Sequence, residues 1–343
     1  MVYEDDGIDH RQHVYRLIMA AWGSQAIRAL ADCSIAEHLK TEALTAQQIA
    51  ERERVDASML YRLLRVGVSM GLLNHDTDSG TFLSTAMLQM LHEDAPDSLK
   101  HYAKAAIGPA FWLPAVRTPQ AIATGRNQAV EALGTSVFDY FGQHPEEARV
   151  FTAAMTDLST PVIREAVSAI DVENASYAID VGGADGTFVS ELLERHPELT
   201  GAVLDLPHVI PSVVDNAKRR GISHRMAGIG GDFLESVPSA DIYLLKFVLH
   251  DWDDRTCITL LGNIRRAMNP SARLFIVEMV HGYDVAALDT ALMDMAMLFS
   301  NTGKERDVSE FESLLSEAGL CPVTVRPLRG SYHVIEATAD QGD

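Results

Sequence analysis

His250 stands in the run Leu249-His250-Asp251-Trp252, just past Asp241–Leu245, an apolar stretch with the length of a buried strand. Histidine is the side chain whose ordinary pKa, ~6.5, best suits proton transfer near neutrality. A histidine by itself is more often structural, and two later carboxylates turn the reading toward catalysis. Glu278 ends the strand-like run Arg273–Glu278, and Glu305 lies in Gly303-Lys304-Glu305-Arg306. Either is placed to hold the imidazole in one tautomer, as the third member of a catalytic triad does. An imidazole held that way can take the proton of an attacking hydroxyl.

A second group of residues is suited to holding a ligand. Asp180-Val181-Gly182-Gly183-Ala184-Asp185-Gly186 follows a strand-like run, and its glycines let the backbone bend sharply and a ligand approach closely. The dinucleotide fingerprint GxGxxG fails, because Ala184 and Thr187 stand where it needs glycine. No GxxxxGK[ST] is present, so a phosphate loop is excluded as well. An acid followed by a glycine-rich turn suits a ligand with a cationic amino-acid end. Asp205, in Val203-Leu204-Asp205-Leu206-Pro207, is placed at the end of the next strand to accept from ribose hydroxyls. Gly231-Asp232-Phe233 sets an acid beside an aromatic, a pair that can bind and stack an adenine. Each acid alone reads as a cap or loop residue; three such turns in succession read as one site.

The elements that must position these turns follow from periodicity. Ser176–Val181, Ala202–Asp205, Asp241–Leu245, Arg273–Glu278, Val323–Arg326 and Tyr332–Glu336 read as strands. Phe188–Arg195, Val209–Arg220, Arg255–Met268 and Ser309–Ala318 read as helices, the last with a capping box at Asp307 and Glu310. Alternating β and α implies a mostly parallel, doubly wound sheet with helices on both faces. Such sheets bind ligands outside the carboxyl ends of their strands, where all the turns above fall. Upstream, Val14, Leu17, Ile18, Ala21, Ile27, Leu30, Ile35 and Leu39 recur at helical spacing. Helices at Thr45–Glu51 and Ser58–Met70, then a hairpin around Leu72-Leu73 and Thr81–Leu83, give the outline of a winged helix. Residues 100–165 read as helices broken by Gly108-Pro109, Pro114, Gly125 and Gly134. The division is therefore a helical domain over 1–100, a helical connector over 101–165 and an α/β domain over 166–343.

Composition narrows the partners. The 343 residues carry 28 Lys+Arg against 48 Asp+Glu, a formal charge of −20. Phosphate binding requires clustered basic side chains, so nucleic acid and anionic membrane are unexpected partners despite the winged-helix outline. Three scattered cysteines, Cys33, Cys257 and Cys321, exclude a disulfide framework and any CxxC site and fit a reducing cytoplasm. The start, MVYEDDGIDHRQHVY, lacks the apolar stretch of a secretory leader, and no apolar run approaches the ~20 residues of a membrane span. Met155, Trp252, Met279, Met293, Met297 and Phe299 are candidates for an apolar substrate pocket, since methionine adapts to flat aromatic faces; plain helix core explains them equally. Asp251 and Asp294 are candidates to meet a polar group of the substrate.

Gly231-Asp232-Phe233, Val237-Pro238, Asp241-Ile242-Tyr243 and Leu249-His250-Asp251-Trp252, supported by Gly303-Lys304-Glu305-Arg306, carry a resemblance. The chain resembles the class I S-adenosylmethionine-dependent O-methyltransferases of the plant caffeate type and their bacterial relatives that modify polyketides, phenazines and other aromatic natural products. The resemblance covers essentially the whole chain. It implies a Rossmann-like methyltransferase sheet preceded by a mostly helical, winged-helix dimerisation domain that makes a homodimer. It implies transfer of a methyl group to an aromatic hydroxyl, with S-adenosylhomocysteine as product and no metal. By position, Asp180, Gly182 and Gly183 would hold the methionine part of the cofactor, Asp205 and Leu206 the ribose, and Gly231, Asp232 and Phe233 the adenine. Lys246 would lie on the sulfonium side and Ser159 near the methionine carboxylate. His250 would be the general base, bracketed by Glu278 and Glu305. The family turn usually reads Asp-x-Gly-x-Gly-x-Gly, and here the middle glycine is Ala184. Some proteins of this architecture bind the cofactor and carry out hydroxylation or decarboxylation instead; a non-catalytic, ligand-sensing regulator is the remaining alternative.

Overall fold

The computed structural model describes residues 9–282 and 288–340. The first eight residues, on which the reading of the chain's start partly rests, lie outside them. The chain divides into two compact units: one runs to Pro109 and takes in Ala153–Leu158, and the other comprises Ala110–Thr152 and Ser159–Asp343.

The first unit opens with helix His10–Asp32, capped by the side chain of Asp9 on the Gln12 N–H. Its apolar residues divide sharply. Leu30, with Ile35 and Leu39 beyond the helix end, is buried, whereas Val14, Leu17, Ile18 and Trp22 are exposed. One apolar pattern in the sequence thus serves two purposes, an internal core and a face left open. β1 (Leu44–Thr45), helix Ala46–Glu53, helix Ala57–Ser69, β2 (Leu73–Asp76) and β3 (Thr81–Ser84) follow, in the small antiparallel sheet β1-β3-β2. Thr45 and Gln48 make a reciprocal capping box at one helix, and Asp56 caps the next. Gly71, at φ +76°, turns the chain out of Ala57–Ser69 into β2. A Cβ at Gly67 would come within 2.8 Å of Leu73 Cδ1, so glycine there lets helix and hairpin pack closely. Leu44, Ile49, Leu64, Leu73 and Phe82 form the core. Two helices and a hairpin are where the sequence places them; the short β1 is an addition.

The second unit contains the large sheet. β4 (Tyr177–Val181), β5 (Thr200–Asp205), β6 (Met226–Gly230), β7 (Ala240–Lys246), β8 (Met268–His281), β9 (Arg306–Asp307), β10 (Leu320–Pro327) and β11 (Tyr332–Ala339) make an eight-stranded sheet. Its order is β10-β11-β8-β7-β4-β5-β6, with β9 paired to β8. The pairs are parallel except β8–β11 and β10–β11. Helices Thr187–Arg195, Ile210–Arg219, Asp254–Ala267 and Val308–Glu317 connect the strands, the last with the capping box of Asp307 and Glu310. On β7, Tyr243 and Leu245 join one core while Ile242 and Leu244 join the other, across the sheet. Burial on both faces explains why the strand reads as a continuous apolar run. β6 escaped the pattern because Met226-Ala227-Gly228-Ile229-Gly230 holds a single β-branched residue. Gly228 is needed there, since its Cβ would come within 2.7 Å of Ile210 Cγ2. β9, two residues long, is also absent from the sequence reading.

Between Lys100 and Ala169 the chain forms six helices, ending in the 25-residue Pro145–Ala169. That helix continues through Pro161 and past the expected limit at 165. Among the described residues, no helix is long and apolar enough to cross a membrane.

Candidate active site

The turn after β4 is shaped by steric necessity. Asp180 is fully buried; its Oδ2 accepts the Val189 N–H at 3.2 Å, while Oδ1 is buried without a hydrogen-bond partner among the described residues. A Cβ at Gly183 would overlap the Asp180 carboxylate, so only glycine fits over this acid. Gly182 adopts φ +68°, and a Cβ there would sit 3.0 Å from Val248 Cγ2 and 3.6 Å from Phe233 Cε1. Burial pushes the Asp180 carboxyl up to about 7, against the opposing pull of the Lys246 charge and the Val189 N–H.

The next two turns close on the first. Ala184 N–H donates to Asp205 Oδ2 at 2.9 Å and Leu206 N–H to Asp205 Oδ1 at 2.7 Å. Gly182 N–H donates to the Leu204 carbonyl, and Gly231 N–H to the Asp205 carbonyl. Asp205 is therefore a brace for the glycine turn, and each of its oxygens retains a second lone pair for a ligand. Burial raises its pKa, with the Leu206 and Ala184 N–H groups working the other way. Asp232 Oδ1 accepts the Leu234 N–H at 2.8 Å, and Phe233 meets the Trp252 ring edge-on at 6.1 Å. Asn263 donates to the carbonyls of both Phe233 and Leu234 and so anchors that loop from helix Asp254–Ala267.

Ala184 occupies the left-handed region at φ +53°. An L residue there costs roughly 1–2 kcal/mol, while glycine gives back ~0.4–1 kcal/mol through the freer unfolded chain. Ala184→Gly is therefore expected to raise the melting temperature slightly or leave it unchanged. Calorimetry showing clear destabilisation would contradict the strain at this position.

β7 leads into the histidine. Lys246 Nζ lies 4.4 Å over the Phe247 ring. Burial lowers its pKa, opposed by Asp180, Asp185, Glu278 and Asp251. Phe247 takes φ +56°, a strained backbone for a bulky residue, and is held by a hydrogen bond to the Val277 carbonyl and by stacking on Tyr332. His250 follows in a short 3₁₀ turn, Leu249–Asp251. Its Nδ1 is 2.7 Å from Glu305 Oε1 and 3.8 Å from Glu278 Oε2; Nε2 lies 3.8 Å from Asp251 Oδ1 and makes no hydrogen bond among the described residues. Both glutamates are buried, yet they act differently. Glu305 touches the imidazole. Glu278 Oε1 accepts the N–H groups of Val248 at 3.0 Å and Leu249 at 2.9 Å, fixing the backbone that presents the histidine. Glu278 Oε2 and Glu305 Oε2 remain buried without hydrogen-bond partners among the described residues.

Burial works against the imidazolium, but Glu278, Glu305 and Asp251 outweigh it and push His250 up to about 10. The same desolvation lifts Glu278 to about 7 and Asp251 to about 6, with the His250 charge opposing in both. One ligand atom each from His250, Glu278 and Glu305 lies within 4.8 Å of the others, a donor set a divalent cation would also accept.

Of the expected pocket residues, Met293, Asp294 and Met297 lie on helix Leu288–Ser300. Met297 is buried, and Asn301, one residue past the helix, donates to its sulfur and to Asp251 Oδ1 at 2.5 Å. Asp294 Oδ1 accepts the Glu305 N–H at 2.9 Å, so it secures the residue that holds the imidazole. Trp252 stacks on Phe138 at 6.1 Å. Met279 is buried at the end of β8, and the Phe299 carbonyl accepts the Gln128 N–H. Ser159 is buried in the second unit, whereas Met155 belongs to the first. Asn301 and Arg306 have no role in the sequence reading, although Arg306 stands inside the tetrapeptide that carries Glu305.

A sheet of this order, with a braced glycine turn and a carboxylate-held histidine at its carboxyl edge, is that of a Rossmann-like methyltransferase. Residues 117–321 match the O-methyltransferase domain and residues 15–94 the O-methyltransferase dimerisation domain. The chain belongs to the O-methyltransferase family. It is 30% identical over 325 residues to the phenazine O-methyltransferase of Lysobacter antibioticus, covering 94% of each chain. The structure of LaPhzM superposes with a TM-score of 0.92 at 29% identity, over 97% of this chain and 100% of that one. An O-methyltransferase from neocarzinostatin biosynthesis, in complex with S-adenosyl-L-homocysteine and 1,4-dihydroxy-2-naphthoic acid, superposes with a TM-score of 0.80 at 30% identity, over 92% and 96% of the two chains.

Proposed function

We propose that this chain transfers the methyl group of S-adenosylmethionine to a hydroxyl oxygen of an aromatic natural product, with His250 as the general base. The observation that carries this reading is the imidazole itself: Glu305 holds Nδ1, and Nε2 is left without a hydrogen bond among the described residues. The residues fit the cofactor. The buried Asp180 oxygen without a partner and the turn that tolerates no Cβ at Gly183 suit a cationic amino-acid end. Asp180, Gly182, Gly183 and Ser159 would hold the methionine part, with Lys246 toward the sulfonium side. Asp205 and Leu206 would hold the ribose, and Gly231, Asp232 and Phe233 the adenine. When bound, S-adenosylmethionine supplies an electrophilic methyl group on a sulfonium.

The chain's own work is to orient and to move one proton. Neutral His250 donates from Nδ1 to Glu305 and accepts the hydroxyl proton at Nε2 as the oxygen attacks. The imidazolium that results is stabilised by Glu305 and Glu278. A phenol, whose ordinary pKa of ~10 matches that of the His250 imidazolium, passes its proton to the neutral ring at little cost. Holding the reactants together in a pocket that excludes water supplies the remainder. Asp251, Trp252, Met293, Asp294 and Met297 are the residues we assign to the substrate.

The chain divides functionally into 1–100, 101–165 and 166–343, for dimerisation, connection and catalysis. The match to a dimerisation domain and the exposed Val14, Leu17, Ile18 and Trp22 support a homodimer through the first of these. The charge of −20 supports the absence of nucleic-acid or membrane partners, and the three scattered cysteines support a cytoplasmic setting. In this reading transfer needs no metal, because a methyl group on a sulfonium is electrophilic without a Lewis acid.

Titration calorimetry tests the cofactor assignment. S-adenosylhomocysteine is expected to bind in the micromolar range and NADH not at all, and turnover is expected to survive EDTA. Failure to bind S-adenosylhomocysteine would overturn the reading; loss of turnover on chelation would overturn its metal-free form.

A further inference from the structure

Arg306 leads the largest fully buried side chains described in this protein. A guanidinium removed from water must have all its N–H groups paired, or it destabilises the fold. Here every donor is accounted for, and the partners converge on one short segment. Nη1 donates to the Leu249 carbonyl at 2.8 Å and, at 3.5 Å, to the Lys304 carbonyl; Nη2 donates to the Trp252 carbonyl at 2.8 Å. Nε and Nη2 both reach Asp254 Oδ1, at 3.0 and 2.7 Å. The carbonyls of Leu249 and Trp252 bracket His250. The planar fork therefore grips the histidine turn just before and just after the catalytic side chain.

Two neighbours reinforce the grip. Gly303 packs against the backbone of His250–Trp252 so closely that any Cβ would overlap the His250 carbonyl and the Trp252 nitrogen. Arg306 begins β9, which pairs with β8 at Val280. Glu305, whose carboxylate meets His250 Nδ1, is the residue immediately before. One segment, 303–306, thus sets both the group that orients the imidazole and the backbone that carries it.

We infer that Arg306, seated by Gly303, is a positioning residue: it locks the Leu249–Trp252 backbone so that His250 Nδ1 stays on Glu305 and Nε2 faces the acceptor hydroxyl. This rests on the proposed role of His250 as base. A lysine keeps the charge and loses the fork, because one ammonium cannot span two carbonyls and a carboxylate.

The test uses Arg306→Lys, with Asp254→Asn as a milder variant, since the Asp254 side chain is more than half exposed and its loss frees one anchor only. The first readout does not depend on activity. A low-field imidazole Nδ1 proton, assigned by its loss in His250→Ala, is expected in the full-length protein and is expected to broaden or vanish in Arg306→Lys, with calorimetric S-adenosylhomocysteine affinity retained. The second is a double-mutant cycle on 1,4-dihydroxy-2-naphthoic acid, or on whichever phenol of a panel turns over. Arg306→Lys is expected to lower kcat by about 10²-fold with the KM for S-adenosylmethionine unchanged, and to cost nothing further in the His250→Ala background. Asp254→Asn is expected to move both readouts the same way by less. An unchanged proton signal in both variants, or equal losses with and without His250, would overturn the inference. Absence of methyl transfer by the wild-type protein would instead overturn the functional reading, and the proton signal would still decide the clamp.

Discussion

His250→Ala is expected to lower turnover on a phenol by about 10²–10⁴-fold while S-adenosylhomocysteine binding persists. The separation follows from where the side chain stands. Its contacts are to Glu305, Glu278 and Asp251, whereas the glycine turn is braced by Asp205 and by main-chain bonds that the substitution leaves in place. The wild-type pH dependence carries the same information. Three carboxylates hold His250 protonated to about 10 in the free protein. The base is the neutral imidazole, and below that value its fraction grows about tenfold with each unit by which the pH is raised. Hence kcat/KM, which reports the free enzyme, is expected to rise through neutrality toward about 10. In His250→Ala that contribution disappears and only the ionisation of the phenol remains. Turnover unchanged by the substitution would remove His250 from the mechanism.

Glu305→Gln has the second largest expected effect, a loss of about 10²–10⁴-fold in kcat. The amide has nearly the shape of the carboxylate but lacks the charge that stabilises the imidazolium formed in the reaction. It also presents an N–H₂ that can donate to Nδ1 and drive the proton to Nε2, the wrong tautomer for a base. The pH profile separates this from simple disruption. Glu305 is one of the charges that raise His250, so removing it lowers the imidazole pKa and moves the rising limb of kcat/KM to lower pH. A variant with reduced activity and an unmoved limb would show that Glu305 acts elsewhere than on His250.

How far the sequence reveals this site depends on what each residue does. His250 and Glu278 are legible because their chemistry sits at or just past the ends of apolar runs that read as strands, and Glu305 because it stands in Gly303-Lys304-Glu305-Arg306. Asp180, Asp205 and Gly231 are legible because a parallel sheet puts its turns along one edge. The division of labour between the glutamates is not, since spacing cannot tell that Glu278 caps the Val248 and Leu249 N–H groups while Glu305 makes the hydrogen bond to the ring. Arg306 and Asn263 work through backbone carbonyls far away in sequence, and a carbonyl leaves no mark on residue type. β6 is hidden for a related reason: its Gly228 answers to Ile210 and its Gly230 to Pro207, tertiary demands that replace the β-branched pattern of a strand.

The central claim is methyl transfer to oxygen, and the most direct measurement follows a labelled methyl group. S-adenosylmethionine carrying isotope in that methyl is incubated with the protein and a panel of aromatic acceptors, beginning with 1,4-dihydroxy-2-naphthoic acid and hydroxyphenazines, and the products are read by mass spectrometry and NMR. The expected result is label on a phenolic oxygen with one S-adenosylhomocysteine formed per methyl transferred, and its loss in His250→Ala. A hydroxylated or decarboxylated acceptor with the label still on S-adenosylmethionine would contradict it.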